Sequence, residues 1–292
     1  MNIDARFFAL AVFGIALLTG MDALAKALAG GYGTFQIVFF RYAVSLLVFA
    51  AVIPLLRPEW PRRERLRAHA ARAVLTIVTS TTFFYALGKL PFTEVFAIAY
   101  TGPIFVALFG ALLLGEKVGW PTMAAIACGF AGVLVIAADG PAGGGGDTQQ
   151  YLALACAIAS PVSYALGVVL LRSQTLHESV PTILIVQATM ISIGLALVAG
   201  PSFHLPESTD LWAIGGIGLL GAIGIYAFSA AIAKLQAAQV AAADYSGLIW
   251  AAMIGYFAFG ETPRPAMWIG ALLILAGSAT MLLVKAKAAK TT

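Results

Sequence analysis

The chain has 292 residues, 61% of them hydrophobic and only 10% charged, against about a quarter charged in an ordinary soluble domain. With so few charges, a water-soluble fold would expose one large apolar surface. The formal charge of +4 is no nucleic-acid footprint, because Arg57, Arg62, Arg63, Arg65, Arg67 and Arg72 crowd one connector and Lys285, Lys287 and Lys290 sit at the C-terminus.

Lipid is the solvent that suits this surface, and in lipid the backbone must form helices or a closed barrel. Barrel strands alternate apolar and polar residues, and Val95–Leu114 does not. The chain therefore reads as an all-α membrane protein. At the N-terminus, Phe7–Ala29 is too long for a signal-peptide core and lacks a small-residue cleavage site, so it reads as a retained first helix. A span needs about 20 apolar residues. Ten such stretches follow in order: 6–28, 34–56, 70–88, 92–115, 119–138, 150–172, 180–199, 211–233, 237–260 and 265–285. The third carries Thr76, Thr79, Ser80, Thr81 and Thr82, which predicts that this side faces protein or water rather than lipid. Cys128 and Cys156 fall inside apolar runs and read as packing residues, so the sequence calls for no metal and no cofactor.

Basic residues on alternate connectors set the orientation. Arg6, the arginine-rich connector, Lys117, Arg172, Lys234 and the terminal lysines share one side, with Lys26, Lys89 and Arg264 on the other. Both termini are expected in the cytoplasm, with the chain in the plasma (inner) membrane. Midway, Asp139–Gln150 reads DGPAGGGGDTQQ. It lacks the Gly-Lys-Ser/Thr of a phosphate-binding loop and is expected to be a flexible outer linker over 139–149, dividing 1–138 from 150–292.

Those halves repeat. A shift of 145 positions pairs Lys89 with Lys234, Tyr100 with Tyr245, Gly102 with Gly247 and Gly110 with Gly255. It also pairs Gly115-Glu116 with Gly260-Glu261 and Gly132 with Gly277. Five helices per half is an odd number, so the second half is expected to enter the membrane inverted. Such a plan places a binding site near the midplane between the halves and lets it open to either side in turn.

Ten helices, the five-plus-five duplication, and Gly-Glu closing the fourth and ninth helices resemble the EamA-type drug/metabolite transporter superfamily. Within it, Tyr100-Thr101-Gly102-Pro103, answered by Asp244-Tyr245-Ser246-Gly247, is most similar to the YddG-type exporters of aromatic and other amino acids. Relatives of that type can carry a large aromatic where this chain has Gly102. The resemblance implies a basket of helices 1–4 and 6–9 around a central cavity, with helices 5 and 10 outside it. It also implies a secondary transporter, an exporter of amino acids. Another small metabolite or drug is the alternative substrate.

Tyr100 and Tyr245 lead the candidate site. Each lies about eight residues into its stretch, about 12 Å deep, and offers a ring to stack and a hydroxyl to bond. Tyr85 and Tyr164 join them as cavity-lining candidates, with Thr101 and Ser246 beside the paired motif. Gly102, Pro103, Pro161 and Gly247 are candidate hinges, and each proline frees a carbonyl and kinks its helix. Asp22 and Lys26 share a face of the first helix, with Arg41 at a similar depth on the second. They form either a structural ion cluster or an attractor for a substrate carboxylate. Asp244 is open to two roles, holding a substrate ammonium or proton, or bonding a neighbouring helix. Gly215, Gly216, Gly218, Gly221 and Gly224 predict close helix packing.

Rival classes fare worse. His69, His177 and His204 lie in or beside connectors, so no enzyme-like cluster converges. No nucleotide motif supports a pump, and duplicated, kinked helices favour alternating access over an open channel. A ligand-sensing receptor would bind without flux. The expected partners are a small-molecule substrate and the bilayer, with the oligomeric state left open.

Overall fold

The computed structural model describes residues 3–56, 59–114, 120–138, 147–175, 177–199, 203–232, 243, 246–262 and 264–288. Among the described residues the secondary structure is helical throughout. The helices are α1 (Ile3–Leu28), α2 (Thr34–Leu56), a 3-10 turn (Arg63–Arg65), α3 (Leu66–Leu87), α4 (Phe92–Ala99) and α5 (Gly102–Leu114). They continue with α6 (Trp120–Ala138), α7 (Thr148–Thr175), α8 (Val180–Ala199), α9 (Leu211–Ile232), α10 (Ser246–Phe259) and α11 (Pro265–Ala288). The protein is a multi-pass membrane protein. Among the described residues, six of the ten expected spans meet the length and composition of a crossing helix: Arg6–Leu28, Thr34–Pro54, Arg63–Leu87, Thr148–Leu171, Val180–Val198 and Leu211–Ala231. Phe92–Val106, Ala127–Ile136, Ser246–Phe259 and Pro265–Ala276 are shorter apolar segments.

The fourth stretch departs from expectation: it is two helices, broken at Tyr100-Thr101. Pro103 has no N–H, which leaves the Ala99 carbonyl without its helical donor. The residue before a proline also resists the helical region. The chain answers by tightening. Thr101 gives both its N–H (3.0 Å) and its hydroxyl (2.7 Å) to the Ile98 carbonyl. The ladder restarts with Ile104 N–H on Thr101 O at 2.9 Å. Pro103 therefore stands in the first turn of α5, where a missing N–H is tolerated, rather than kinking one long helix. α7 runs unbroken through Pro161. It starts at Thr148, earlier than expected, because Asp147 Oδ1 accepts the Gln150 N–H at 2.9 Å and caps the helix. Residues 139–146 of the glycine-rich linker lie outside the described residues.

α1 and α9 pack antiparallel at close range. A Cβ on Gly14 would lie 2.8 Å from Phe228 N and 2.9 Å from Gly224 O, while Gly221 faces Met21 and Gly216 faces Leu24. Gly218 takes the side of α2 at Val44 and Ser45, so four of the five α9 glycines serve contact with two neighbours, whereas Gly215, also expected to pack closely, faces open space. Shifting the Gly14 contact by 145 positions into the opposite half predicts residue 159 against residues 79 and 83. One residue away, Ser160 Oγ donates to Thr79 O at 3.2 Å, and Thr79 Oγ1 lies 2.9 Å from Ser163 Oγ. α1 on α9 and α7 on α3 thus share one register. The polar side of α3 meets protein as expected: Tyr42 Oη lies 3.3 Å from Ser80 Oγ, and Gln187 Nε2 donates to Thr76 Oγ1 at 2.8 Å. α6 and α11 meet each other where Cys128 Sγ donates to Leu273 O at 3.3 Å, two residues 145 positions apart.

Candidate functional site

At the junction of the halves, the break in the fourth stretch meets the start of α10. Tyr100 is buried, and its hydroxyl is pressed against Gly247 so closely that any Cβ there would collide with it. Thr101 is buried and its hydroxyl is spent on Ile98. On the other side, the ring of Tyr164 lies against Gly102, where a Cβ would be 3.2 Å from Cδ1. Each of the two glycines paired by the repeat therefore receives a tyrosine. Tyr164 is 49% exposed, whereas Tyr85 packs at the edge of the main core. The Ser246 hydroxyl is buried without a hydrogen-bond partner among the described residues. Asp244 and Tyr245, also expected here, lie outside the described residues.

The expected cluster of Asp22, Lys26 and Arg41 separates. Lys26 turns toward the end of α1, where its Nζ donates to Leu87 O (3.1 Å) and Leu90 O (2.6 Å) and pairs with Glu261 at 3.0 Å. Three acceptors gathered at one helix end outcompete a single carboxylate on the same helix face. Asp22 stays buried, and the charge acting on it is Arg41. The Arg41 guanidinium lies 5.0 Å from the Tyr42 ring centroid and 5.5 Å from that of Phe84. Among the described residues it makes no hydrogen bond or ion pair through its five N–H donors. Arg41 over two rings beside Asp22 is an arrangement that can bind a flat polar molecule. The rings hold the cation, and the cation and carboxylate present donors and acceptors.

The sequence missed two polar groups. The first is a ring of contacts beyond Lys26: Arg264 pairs with Glu94 at 3.0 Å, and Glu261 Oε2 accepts the Phe92 N–H at 2.6 Å. The signal for it was the repeated Gly-Glu, since Gly260 adopts a positive φ of 64° that turns the chain after α10. The second is a buried cluster on the face of the arginine-rich connector. His69 lies 2.8 Å from Glu178, and Arg72 Nε donates to Gln187 at 3.1 Å. Its residues come from separate helices, and no local pattern links them.

Comparisons with known proteins agree with this architecture. The model of the EamA-like transporter family matches residues 6–138 and again 151–283. A riboflavin transporter of Rhizobium johnstonii is 32% identical over 226 residues, covering 76% of this chain and 70% of the relative. An S-adenosylmethionine uptake transporter of Rickettsia conorii is 24% identical, covering 87% and 84%. A riboflavin transporter of Vibrio cholerae is 25% identical, covering 84% and 81%. One solved crystal structure shares the fold with a TM-score of 0.65 at 21% identity, covering 96% of this chain and 97% of the other.

Proposed function

Because the chain belongs to the EamA-like transporter family, we propose that it carries a small metabolite with a flat heteroaromatic ring system by alternating access between two inverted halves, riboflavin being the first candidate. The observation that carries the substrate class is the 32% identity to a riboflavin transporter. S-adenosylmethionine, carried by more distant relatives, also joins a planar heteroaromatic base to a charged end. The site is the space between the halves. Tyr85, Tyr100, Tyr164 and Tyr245 present rings, Ser246 and Asp244 present polar groups, and Thr101 holds the break beside Tyr100. Arg41 and Asp22 hold the polar edge of the ligand. Gly102, Pro103, Pro161 and Gly247 are the hinges. On this reading the protein is a carrier and not an enzyme, sits in the inner membrane, and has both termini in the cytoplasm.

A second reading, export of aromatic amino acids, is favoured by the paired Tyr-x-Gly of the two halves, Tyr100-Thr101-Gly102 and Tyr245-Ser246-Gly247. The deciding measurement is flux into and out of proteoliposomes holding purified protein, with riboflavin, S-adenosylmethionine, tryptophan and phenylalanine in parallel. Saturable riboflavin flux is expected. Flux of the amino acids alone selects the second reading, and binding without flux of any compound makes the protein a receptor.

A further inference from the structure

A polar tie joins the halves on each face, and the two ties occupy equivalent places. On one face, Tyr32 in the α1–α2 connector donates to Asp210 at the start of α9 at 2.8 Å and accepts the Glu207 N–H at 3.0 Å. On the other face, Glu178 in the α7–α8 connector meets His69 in the first turns of α3 at 2.8 Å. Shifted by 145 positions, α1 and α2 become α7 and α8, and α9 becomes α3. The positions correspond and the chemistry does not. A phenol keeps its proton through the physiological range, whereas an imidazole gains or loses one there.

The second tie is sealed from solvent: His69 is 0% exposed and the Glu178 side chain 6%. From α3 the Arg72 charge acts on Glu178, and at the end of α7 Gln174, 4% exposed, accepts the Glu178 N–H on its carbonyl at 3.1 Å. From α8 Gln187 takes Arg72 Nε. Around the rim, Arg63, Glu64, Arg67 and His177 are exposed, and Arg65 partly so. Both nitrogens of His69, Arg72 Nη2, both amide atoms of Gln174 and both oxygens of Glu178 are buried with no well-aligned hydrogen-bond partner among the described residues. Buried polar atoms are almost always satisfied. So many together, of mixed donors and acceptors, leave this buried group able to take up or pass on a proton.

We propose that His69 and Glu178, with Arg72, form a proton-binding site that holds this face of the protein closed. A proton taken from water onto the imidazole makes an imidazolium–carboxylate pair, and that pair ties the α7–α8 connector to α3. Releasing the proton to water removes one of the two cations that hold Glu178 against α3 and leaves the more distant attraction of Arg72, so the hold on the connector weakens. The site is independent of which metabolite is carried.

The test reads opening directly. Gln174→Cys is placed in a Cys128→Ser, Cys156→Ser background, and thiol labelling of the purified protein in nanodiscs is followed from about pH 5.5 to about pH 8. Each rate is divided by that of the exposed His177→Cys control, which removes the pH dependence of thiol reactivity itself. The normalised rate is expected to be several-fold slower at the acid end. Adding His69→Gln, or separately Glu178→Gln, is expected to abolish that protection. The second variant decides the matter where the first does not elute as a folded monodisperse protein. A normalised rate that is flat with pH overturns the proposal, as does acid protection that survives either substitution.

Discussion

Lys26 Nζ stands 3.0 Å from Glu261 Oε1, while the other oxygen of the same carboxylate accepts the Phe92 N–H. One lysine and one glutamate thereby fasten α1, the end of α3, the start of α4 and the turn after α10. Lys26→Met leaves a partly buried carboxylate without its cation and two carbonyls without a donor. The expected loss is about 2–4 kcal/mol, read as a Tm drop of several degrees in detergent. The double variant Lys26→Met, Glu261→Gln should recover part of it. If the two losses simply add, the pair is not a coupled unit.

Gly247 has no room for a methyl group, because the Tyr100 hydroxyl already occupies that direction and Ile15 Cγ2 would lie 3.0 Å away. Gly247→Ala is expected to destabilise by about 1–3 kcal/mol and to slow turnover. Tyr100→Phe removes the colliding atom, so the double variant should regain stability. Thermal unfolding and flux measured on all three proteins check this, and absence of rescue would place the strain elsewhere.

Arg41, over the rings of Tyr42 and Phe84, makes no hydrogen bond or ion pair among the described residues and is proposed to meet the substrate. Arg41→Gln is expected to raise the apparent KM for transported substrate about tenfold, the worth of one charge-assisted hydrogen bond. Arg41→Lys should fall between the two, since it retains charge and loses the planar fork. Flux in proteoliposomes at matched protein levels measures the effect. An unchanged KM in Arg41→Gln removes Arg41 from the site.

Two glycines separate packing from propensity. A Cβ on Gly132 would sit 2.5 Å from Gly270 O, whereas nothing lies within 4 Å of a Cβ on Gly215. Gly132→Ala is expected to destabilise by about 1–3 kcal/mol through forced separation of α6 and α11. Gly215→Ala should be neutral or slightly stabilising, because alanine is the better helix former. Comparing their Tm values in one detergent tests both.

The arginine-rich connector is expected to face the cytoplasm. An Arg63→Cys protein lacking Cys128 and Cys156 should react with an impermeant reagent in inside-out vesicles and not in intact cells. Labelling from outside reverses the proposed topology.

By itself the sequence determined the solvent, the helical class and the duplication. Apolar content decides where a chain can be soluble, and an uninterrupted run of coincident Lys, Tyr and Glu at one shift survives divergence of the residues between. It also singled out Tyr100 and paired Gly102 with Gly247, while the structure alone set Tyr100 against Gly247 and Tyr164 against Gly102. What the tertiary structure alone decided was partner choice. Asp22 and Lys26 share a helix face in sequence, yet Lys26 bonds residues 61 to 235 positions away (Leu87, Leu90 and Glu261), because carbonyls freed at a helix end attract an ammonium more strongly than one carboxylate does. The break at Tyr100-Thr101 depended on Thr101 finding Ile98, a local competition that hydropathy cannot register. His69 read as a connector residue and became a fully buried group because α3 starts at Leu66, earlier than its apolar stretch. Long-range polar pairs carry no period, so only the folded chain could bring His69 to Glu178.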